Sequence, residues 1–521
     1  MKITKITALV VALTMLGAML TGCGGSGTSG DINESVANLE GYLASAEPLE
    51  MTIHMHYFNN YVFDDDARIY KEAAKETNIT LHGTASKASS DSNQSFNTML
   101  VESTLPDIIH GNATNTNKAG MEGAMIPLED LIPKFAPHID EYFKQHPEYY
   151  KGSFAADGHL YYIPCIYEPG PAMGWFIRQD WLDKLNLSAP KTVSEYHDVL
   201  KAFRDKDPNG NGIKDEIPYF DRHKSPINLL SLFGVSKNNY DVDSNNKIYM
   251  PRMTVEYKNA VKELSKWYAE GLIDPEIYSR GGTSREQLFG GNMGGAVHDW
   301  FSSSFAFNNS LKESVPGFKL VAIDPPADIN GKVSNCSPRT ELNGNGWGIS
   351  KDNKHIAETM KYFDFWFTEK GRILNNYGVE GIDYNIVNGE PEYSEQAKAY
   401  EGGIPAYMTT FGSREIGIPT MQSAEIKGMS KEAADSFKMY VDKGYTIKAF
   451  PRLAQTEEET RIIRDKGAAI ETYIEECAQS WVMGNRDVEA DWDEYISKLK
   501  EMGADEVIAA YQSAYDRYLK N

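Results

Sequence analysis

The sequence predicts an α/β protein of more than one lobe, closed by a helical C-terminal region. Three observations carry that expectation. Short apolar runs alternate with helical stretches through the first part of the chain, the pattern of a mostly parallel sheet layered with helices. From about residue 401 onward, apolar residues recur instead at helical spacing. The length, 521 residues, allows two or three domain-sized units. Hydrophobic residues make up 41% and charged residues 24%, an ordinary globular composition. The chain carries 52 basic and 74 acidic side chains, a net charge of −22. That balance argues against a nucleic-acid partner, which needs a basic face for phosphates, and against broad docking on anionic lipid. Four cysteines are too few for a disulfide scaffold.

The first element is an address. Lys2 and Lys5 precede an apolar run from Thr7 to Leu20. Its 14 residues fit a signal-peptide core and fall short of the ~20 that a membrane-spanning helix needs. Leu20-Thr21-Gly22-Cys23 follows directly and resembles the bacterial lipobox, in which the cysteine takes a lipid and becomes the mature N-terminus. An ordinary signal peptide with a chance cysteine is the competing reading. Residues 24–30, Gly, Ser and Thr only, then form a flexible tether. Cleavage before Cys23 removes both lysines and leaves a net charge of −24. With Cys23 used for lipid, Cys165, Cys336 and Cys477 can form at most one disulfide. Their spacing is not that of zinc ligands, and small buried apolar residues are the simpler reading.

The body opens with Met51 to Phe58 as a strand, a loop at Asn59-Asn60, and a helix over Asp66 to Thr77. Asn78 to Leu81 and Leu105 to Ile109 read as further strands. Ligands of such sheets sit beyond the carboxyl ends of the strands. That marks Tyr57 to Asn60 and His110 to Asn115. A second run begins at Gly174 to Arg178. Thr192 and Glu195 make a capping-box pair that opens a helix to about Lys206, with Val193, Tyr196, Val199, Leu200 and Phe203 on one face. Gly295 to His298 and Gly346 to Ile349 read as strands. Thr456 and Glu459 cap a later helix striped by Ile463, Ile470, Ile474, Cys477 and Trp481. Trp492, Tyr495, Ile496, Leu499 and Met502 stripe the next.

One loop carries metal chemistry. In Asp207-Pro208-Asn209-Gly210-Asn211-Gly212-Ile213-Lys214-Asp215-Glu216, oxygen side chains stand at loop positions 1, 3, 5 and 9, and glycine at position 6. This spacing wraps hard oxygens round one point, as calcium requires, with the Ile213 carbonyl at position 7. Position 12 is Pro218, so the usual bidentate glutamate is missing and Glu216 is the candidate replacement. A polar Asn-Gly turn is the alternative. His54 and His56 share a strand face and could hold zinc, but packing alone explains such a pair. Gly290 to Gly295 is glycine-rich, yet it precedes a strand and lacks the lysine of a phosphate loop. No nucleophile elbow or metalloprotease helix is present.

Taken in order, several short segments resemble the extracellular solute-binding proteins of carbohydrate ABC importers, in the LplA-like oligosaccharide branch of solute-binding protein family 1. They are Leu105-Pro106-Asp107-Ile108-Ile109, Asp157 to Pro164, Arg178 to Leu185, the calcium loop, Gly271 to Glu276, Tyr377 to Tyr384 and Ala514 to Tyr518. The likeness runs from about Met51 to the C-terminus. Asp383 departs from the histidine many relatives carry there. The resemblance implies a type II periplasmic-binding-protein fold: two α/β lobes, a ligand cleft and C-terminal helices. It divides the chain into a signal peptide (1–22), a lipidated Cys23 with tether (23–49), a first lobe (50–166 and 345–400), and a second lobe (167–344 and 401–521). Chain crossings are expected near Pro164 to Trp175, Asn343 to Trp347 and Tyr400. It implies a structural calcium held by Asp207, Asn209, Asn211, Ile213, Asp215 and Glu216.

Sugars present apolar faces to aromatic rings and hydroxyls to Asn, Asp, Glu and Arg. Position therefore nominates Tyr57, Asn59 and Asn60; Asp299 and Trp300; and Tyr167, Glu168 and Trp347, with Asn112 and Tyr384 further out. The expected function is capture of an oligosaccharide and delivery to a membrane permease by a monomer lipid-anchored on the extracytoplasmic face. No catalytic residue is expected. A secreted glycan-active enzyme, a sugar sensor, or a binder of peptides or other solutes are the alternatives.

Overall fold

The computed structural model describes residues 32–57, 61–335, 337, 339–340, 342–413 and 417–521. The signal segment, Cys23, residues 24–31, Phe58, Asn59, Asn60 and Cys336 lie outside these, whereas residues 32–49, expected as tether, are described and bury Val36 and Ala44 in the first-lobe core.

Two sheets centre two lobes. The first has six strands in the order Pro419–Thr420, Ile163–Tyr167, Leu342–Ile349, Ile108–Asn112, Leu49–His54, Ile79–Gly83. Leu49–His54 runs parallel to both neighbours, whereas Leu342–Ile349 is antiparallel to both of its own. The third strand starts later than Leu105 because Pro106 has no N–H to give a ladder. Asp107 instead accepts from the Thr52 amide at 2.8 Å and so registers the two strands. The second sheet orders Leu320–Ile323, Met173–Arg178, Gly294–Trp300 and Ile217–Tyr219. The glycines before Trp300 serve packing. A Cβ on Gly295 would lie 2.6 Å from the Phe203 ring and 2.8 Å from the Pro218 carbonyl.

The chain passes from the first sheet to the second at residues 168–172. It returns between Ile323 and Leu342, earlier than the expected Asn343 to Trp347. The last crossing lies beyond residue 424 rather than near Tyr400. Ile404, Tyr407, Phe411 and Ile418 are buried with Met51 and Ile53 of the first lobe, and Ile426, Met429 and Ala433 are the next to pack on the second. Residues 401–424, placed by sequence in the second lobe, thus belong to the first. Apolar spacing shows that a helix is buried but not which core receives it.

Helices Glu457–Val482, Val488–Glu501 and Ala504–Lys520 close the second lobe. Ile470, Ile474, Cys477 and Trp481 are buried with Trp175, Trp181 and Trp267, and Ile463 is half-buried. Burial of each such side chain contributes about 1.5–3 kcal/mol. Both bonds of the Thr456–Glu459 capping box form, at 3.2 and 2.9 Å. Thr192 caps Glu195, but the Glu195 carboxylate turns to the Lys191 amide, so only half of that box forms. Arg178 is buried, paired with Asp180 at 2.7 Å and sandwiched 4.5 Å from both Trp181 and Phe318. Among the described residues, no helix is long and apolar enough to cross a membrane. Cys165 and Cys477 are buried thiols.

Candidate functional site

The carboxyl ends of the first-lobe strands carry Tyr57, Asn112 and Tyr167. The matching edge of the second sheet carries Asp221, Arg222, Asp299 and Trp300. The two edges belong to consecutive sheets joined by five residues, which makes the space between them the candidate cleft.

On the first-lobe edge, Tyr57 meets His110 edge-on at 6.0 Å. Asn112 is spent on structure: its side chain accepts from the Asn115 amide at 2.9 Å and donates to Asn93 at 3.3 Å. His56 places one ring nitrogen 2.9 Å from the Ser92 hydroxyl and the other 3.0 Å from the Ser89 carbonyl. His54 meets Ser95 at 3.3 Å. Burial, then the nearby His110 and His56, pushes His54 down to about 4, so it stays neutral. The pair is packed and hydrogen-bonded, which answers the zinc alternative.

At the first crossing, Tyr167 lies 5.3 Å from the Arg339 guanidinium, and Arg339 pairs with Glu425. Glu168, expected to touch ligand, is a clamp. Its carboxylate takes Arg372 at 2.5 Å and the Gln422 amide at 2.8 Å. Trp347 is a second correction. It is fully buried and stacks on Phe363 at 4.7 Å, inside the first-lobe core. Tyr384 is buried beside Tyr377 in the same core. Position alone nominates both, and aromatics serve cores as readily as sugar faces. Asp383 is also internal, bonded to Arg68 at 2.6 Å and Tyr407 at 2.8 Å.

On the second-lobe edge, Asp299 is fully buried and cannot reach a ligand directly. Its Oδ1 accepts from Arg222 Nε at 3.0 Å and from the Trp300 amide at 2.7 Å, and Oδ2 faces Arg285 at 3.3 Å. Trp300 is 43% exposed, and the other seven tryptophans are buried. The pattern of the site is therefore one open indole ring on a backbone fixed by a buried carboxylate and two arginines. Sequence reasoning missed Arg222 and Arg285. Arg222 follows a three-residue strand, too short for alternation to reveal.

Beyond Asn112 the cleft edge continues into a cavity of about 780 Å³ between the lobes. Thr114, Asn117 and Phe154 line one side, and Arg452, Leu453 and Gln455 the other. Such a volume suits a drug-sized ligand, where pockets run about 300–1,000 Å³. Arg452 passes beside Gly344, where a Cβ would stand 3.5 Å from the guanidinium, an ordinary contact. The Asn117 Oδ1 is buried and has no hydrogen-bond partner among the described residues. The stretch around Arg452 carries no pattern in sequence, because only its path past the first lobe gives it a role.

The Asp207 loop is already wound. Asp207 accepts from the amides of Gly210, Asn211 and Gly212 at 2.9–3.1 Å. Asn209 and Asn211 both donate to Asp215, at 2.8 and 3.0 Å. Ile213 is exposed, and a strand rather than a helix follows at Ile217. Glu216 is buried with neither carboxylate oxygen hydrogen-bonded. Burial raises its pKa against two weak pulls from the backbone amides of Glu216 and Asn209, and Asp207 and Asp215 push it further. An orphaned buried carboxylate beside two more carboxylates fits a cation. Among the described residues, no three His, Cys, Asp or Glu side chains stand together at metal-holding separation. The residues fit a calcium ion in kind, with the Asn209 and Asn211 amides turned to present oxygen.

Two lobes, a cleft at the strand ends and one exposed ring define a type II periplasmic-binding-protein-like solute-binding protein. The chain belongs to the bacterial extracellular solute-binding protein family, whose model matches residues 51–373, and a domain of unknown function matches residues 459–520. It is 26% identical over its whole length to all of the fructooligosaccharide ABC transporter substrate-binding protein FusA of Streptococcus pneumoniae serotype 4. It is 23% identical to the polygalacturonan/rhamnogalacturonan-binding protein YtcQ of Bacillus subtilis, over 97% of this chain and 98% of that one. Among solved structures, alginate-binding protein AlgQ2 without calcium ion superposes with a TM-score of 0.69. It is 37% identical, covering 91% of this chain and 99% of that one.

Proposed function

We propose that the protein is the substrate-binding lipoprotein of an ABC importer, capturing an oligosaccharide in the cleft between its lobes. The observation that carries this reading is the exposed Trp300 ring at the cleft edge, on a backbone held by Asp299, Arg222 and Arg285. An indole face covers the C–H face of a sugar, and Arg452 in the adjoining cavity offers donors for its hydroxyls. FusA, YtcQ and AlgQ2, named for fructooligosaccharide, polygalacturonan/rhamnogalacturonan and alginate, support an oligosaccharide cargo. The ligand is held and released without bond breaking, so no catalytic residue is assigned.

Cys23 carries the lipid in this reading and holds a monomer on the extracytoplasmic face of the cell membrane, where a permease receives the cargo. Calcium, bound by Asp207, Asn209, Asn211, Ile213, Asp215 and Glu216, braces the second lobe. The orphaned Glu216 carboxylate and the description of AlgQ2 by its lack of calcium ion both favour this.

The test is a thermal-shift screen of residues 31–521 with calcium, against a glycan panel and a peptide panel. A ligand at ~100 times its Kd adds about 2.7 kcal/mol, a shift of several degrees or less. A shift with one glycan class is expected. A shift with peptides alone overturns the sugar assignment, and release of shortened glycan overturns the binder reading.

A further inference from the structure

The second lobe holds another cavity, of about 480 Å³, behind the cleft edge. It lies between the segment from His223 to Ile227 and the helices Val255–Ala269 and Glu457–Val482. Leu230, Val261, Leu264, Ile474 and Val482 give it apolar walls. Arg252 lies in that lining and is 5% exposed.

Arg252 stands apart from the other buried arginines of this lobe. Arg178, equally buried, pairs with Asp180 and bonds to Asn292 and the Gly294 carbonyl. Arg252 has no carboxylate within ion-pair distance among the described residues. Its guanidinium makes one hydrogen bond, from Nη2 to the Lys237 carbonyl at 3.2 Å. Its own carbonyl is pinned by the Tyr495 hydroxyl at 3.1 Å, which fixes the backbone in place. An arginine this deeply buried without a counter-charge is costly, and proteins pair or saturate such groups. Among the described residues, four of its five donors have no protein acceptor. Lys224 adds a second cation to the lining and Glu475 is its one carboxylate. His223 also lines it, with its ring held by Asp221 at 2.8 Å.

We propose that this cavity is a second binding site, for a small organic anion with an apolar body. The anionic group sits on Arg252, and the apolar body lies against Leu230, Val261 and Leu264. The site is separate from the cleft: Arg222 turns to Asp299, while the next two residues line the cavity. It does not depend on the cargo being a sugar.

Benzoate and its uncharged counterpart benzamide are suitable probes for calorimetric titration into residues 31–521. Benzoate is expected to bind one molecule per chain, at least about tenfold tighter than benzamide. Arg252→Gln should weaken benzoate by about tenfold or more. Ala478→Trp fills the cavity from the Glu457–Val482 helix, leaves Arg252 intact and should do the same, so the test stands even if Arg252→Gln fails to fold. Quenching of Trp300 fluorescence should not change on benzoate binding. No saturable heat to about 10 mM, equal binding of benzamide, or benzoate binding that survives Ala478→Trp overturns the proposal.

Discussion

Asp299 Oδ1 lies 3.0 Å from Arg222 Nε and 2.7 Å from the backbone amide of Trp300, with the Asp299 side chain fully buried. The carboxylate thus joins the end of the Ile217–Tyr219 strand to the end of Gly294–Trp300 and sets where the exposed ring stands. In the proposed site it acts on a ligand through Trp300 rather than by touching it. Asp299→Ala should destabilise the protein by about 3–5 kcal/mol, because it strands two arginine charges. Asp299→Asn keeps an acceptor for the Trp300 amide and should retain more affinity than stability. Chemical denaturation and ligand titration on both variants check this.

Trp300→Ala should weaken cargo binding at least about tenfold and change stability by less than about 0.5 kcal/mol, since the ring is a surface group. The measurement is direct. Trp300 is the exposed one among eight tryptophans, so acrylamide quenching reports on it, and bound cargo should shield it. Unaltered affinity removes Trp300 from the site.

Calcium should raise the melting temperature of chelator-treated protein, and Glu216→Gln should abolish much of that rise. Binding to the folded state alone stabilises by about 2.7 kcal/mol at 100 times the Kd. Elemental analysis of the untreated protein should find about one calcium per chain. An unchanged melting temperature together with no bound ion leaves the Asp207 loop as a polar turn.

The His54 imidazole predicts an acid-sensitive step. Its folded pKa of about 4 lies below the ordinary 6.5, so the unfolded chain takes the proton first as pH falls. Its contribution is complete above pH 6.5 and is lost as pH falls towards 4, up to about 3 kcal/mol. His54→Gln should flatten the stability profile in that window relative to the parent. Identical profiles remove His54 as the cause. His138 and His159 shift the other way, through hydrogen bonds to Asp364 and Glu129, and remain in both proteins.

What the sequence determined by itself is what local chemistry encodes. The Asp207 loop was legible because a metal-type turn needs particular residues at fixed spacing, and the amides of Gly210 to Gly212 do gather on Asp207. The Thr456–Glu459 cap and the Ile470 to Trp481 stripe were legible for the same reason: partners three or four residues apart meet on any helix. Strand order was not, because Leu342–Ile349 pairs with one strand about 180 positions away and another about 240 away. Nor was the destination of an aromatic ring. Trp300 and Trp347 both sit in strands, yet one is exposed and the other stacks in the core on Phe363. The charge partners Arg222 and Arg285, the clamp between Glu168 and Arg372, and the lone Arg252 were settled by packing alone. Electrostatic pairing depends on distance in space and on exclusion of water, and chain spacing encodes neither.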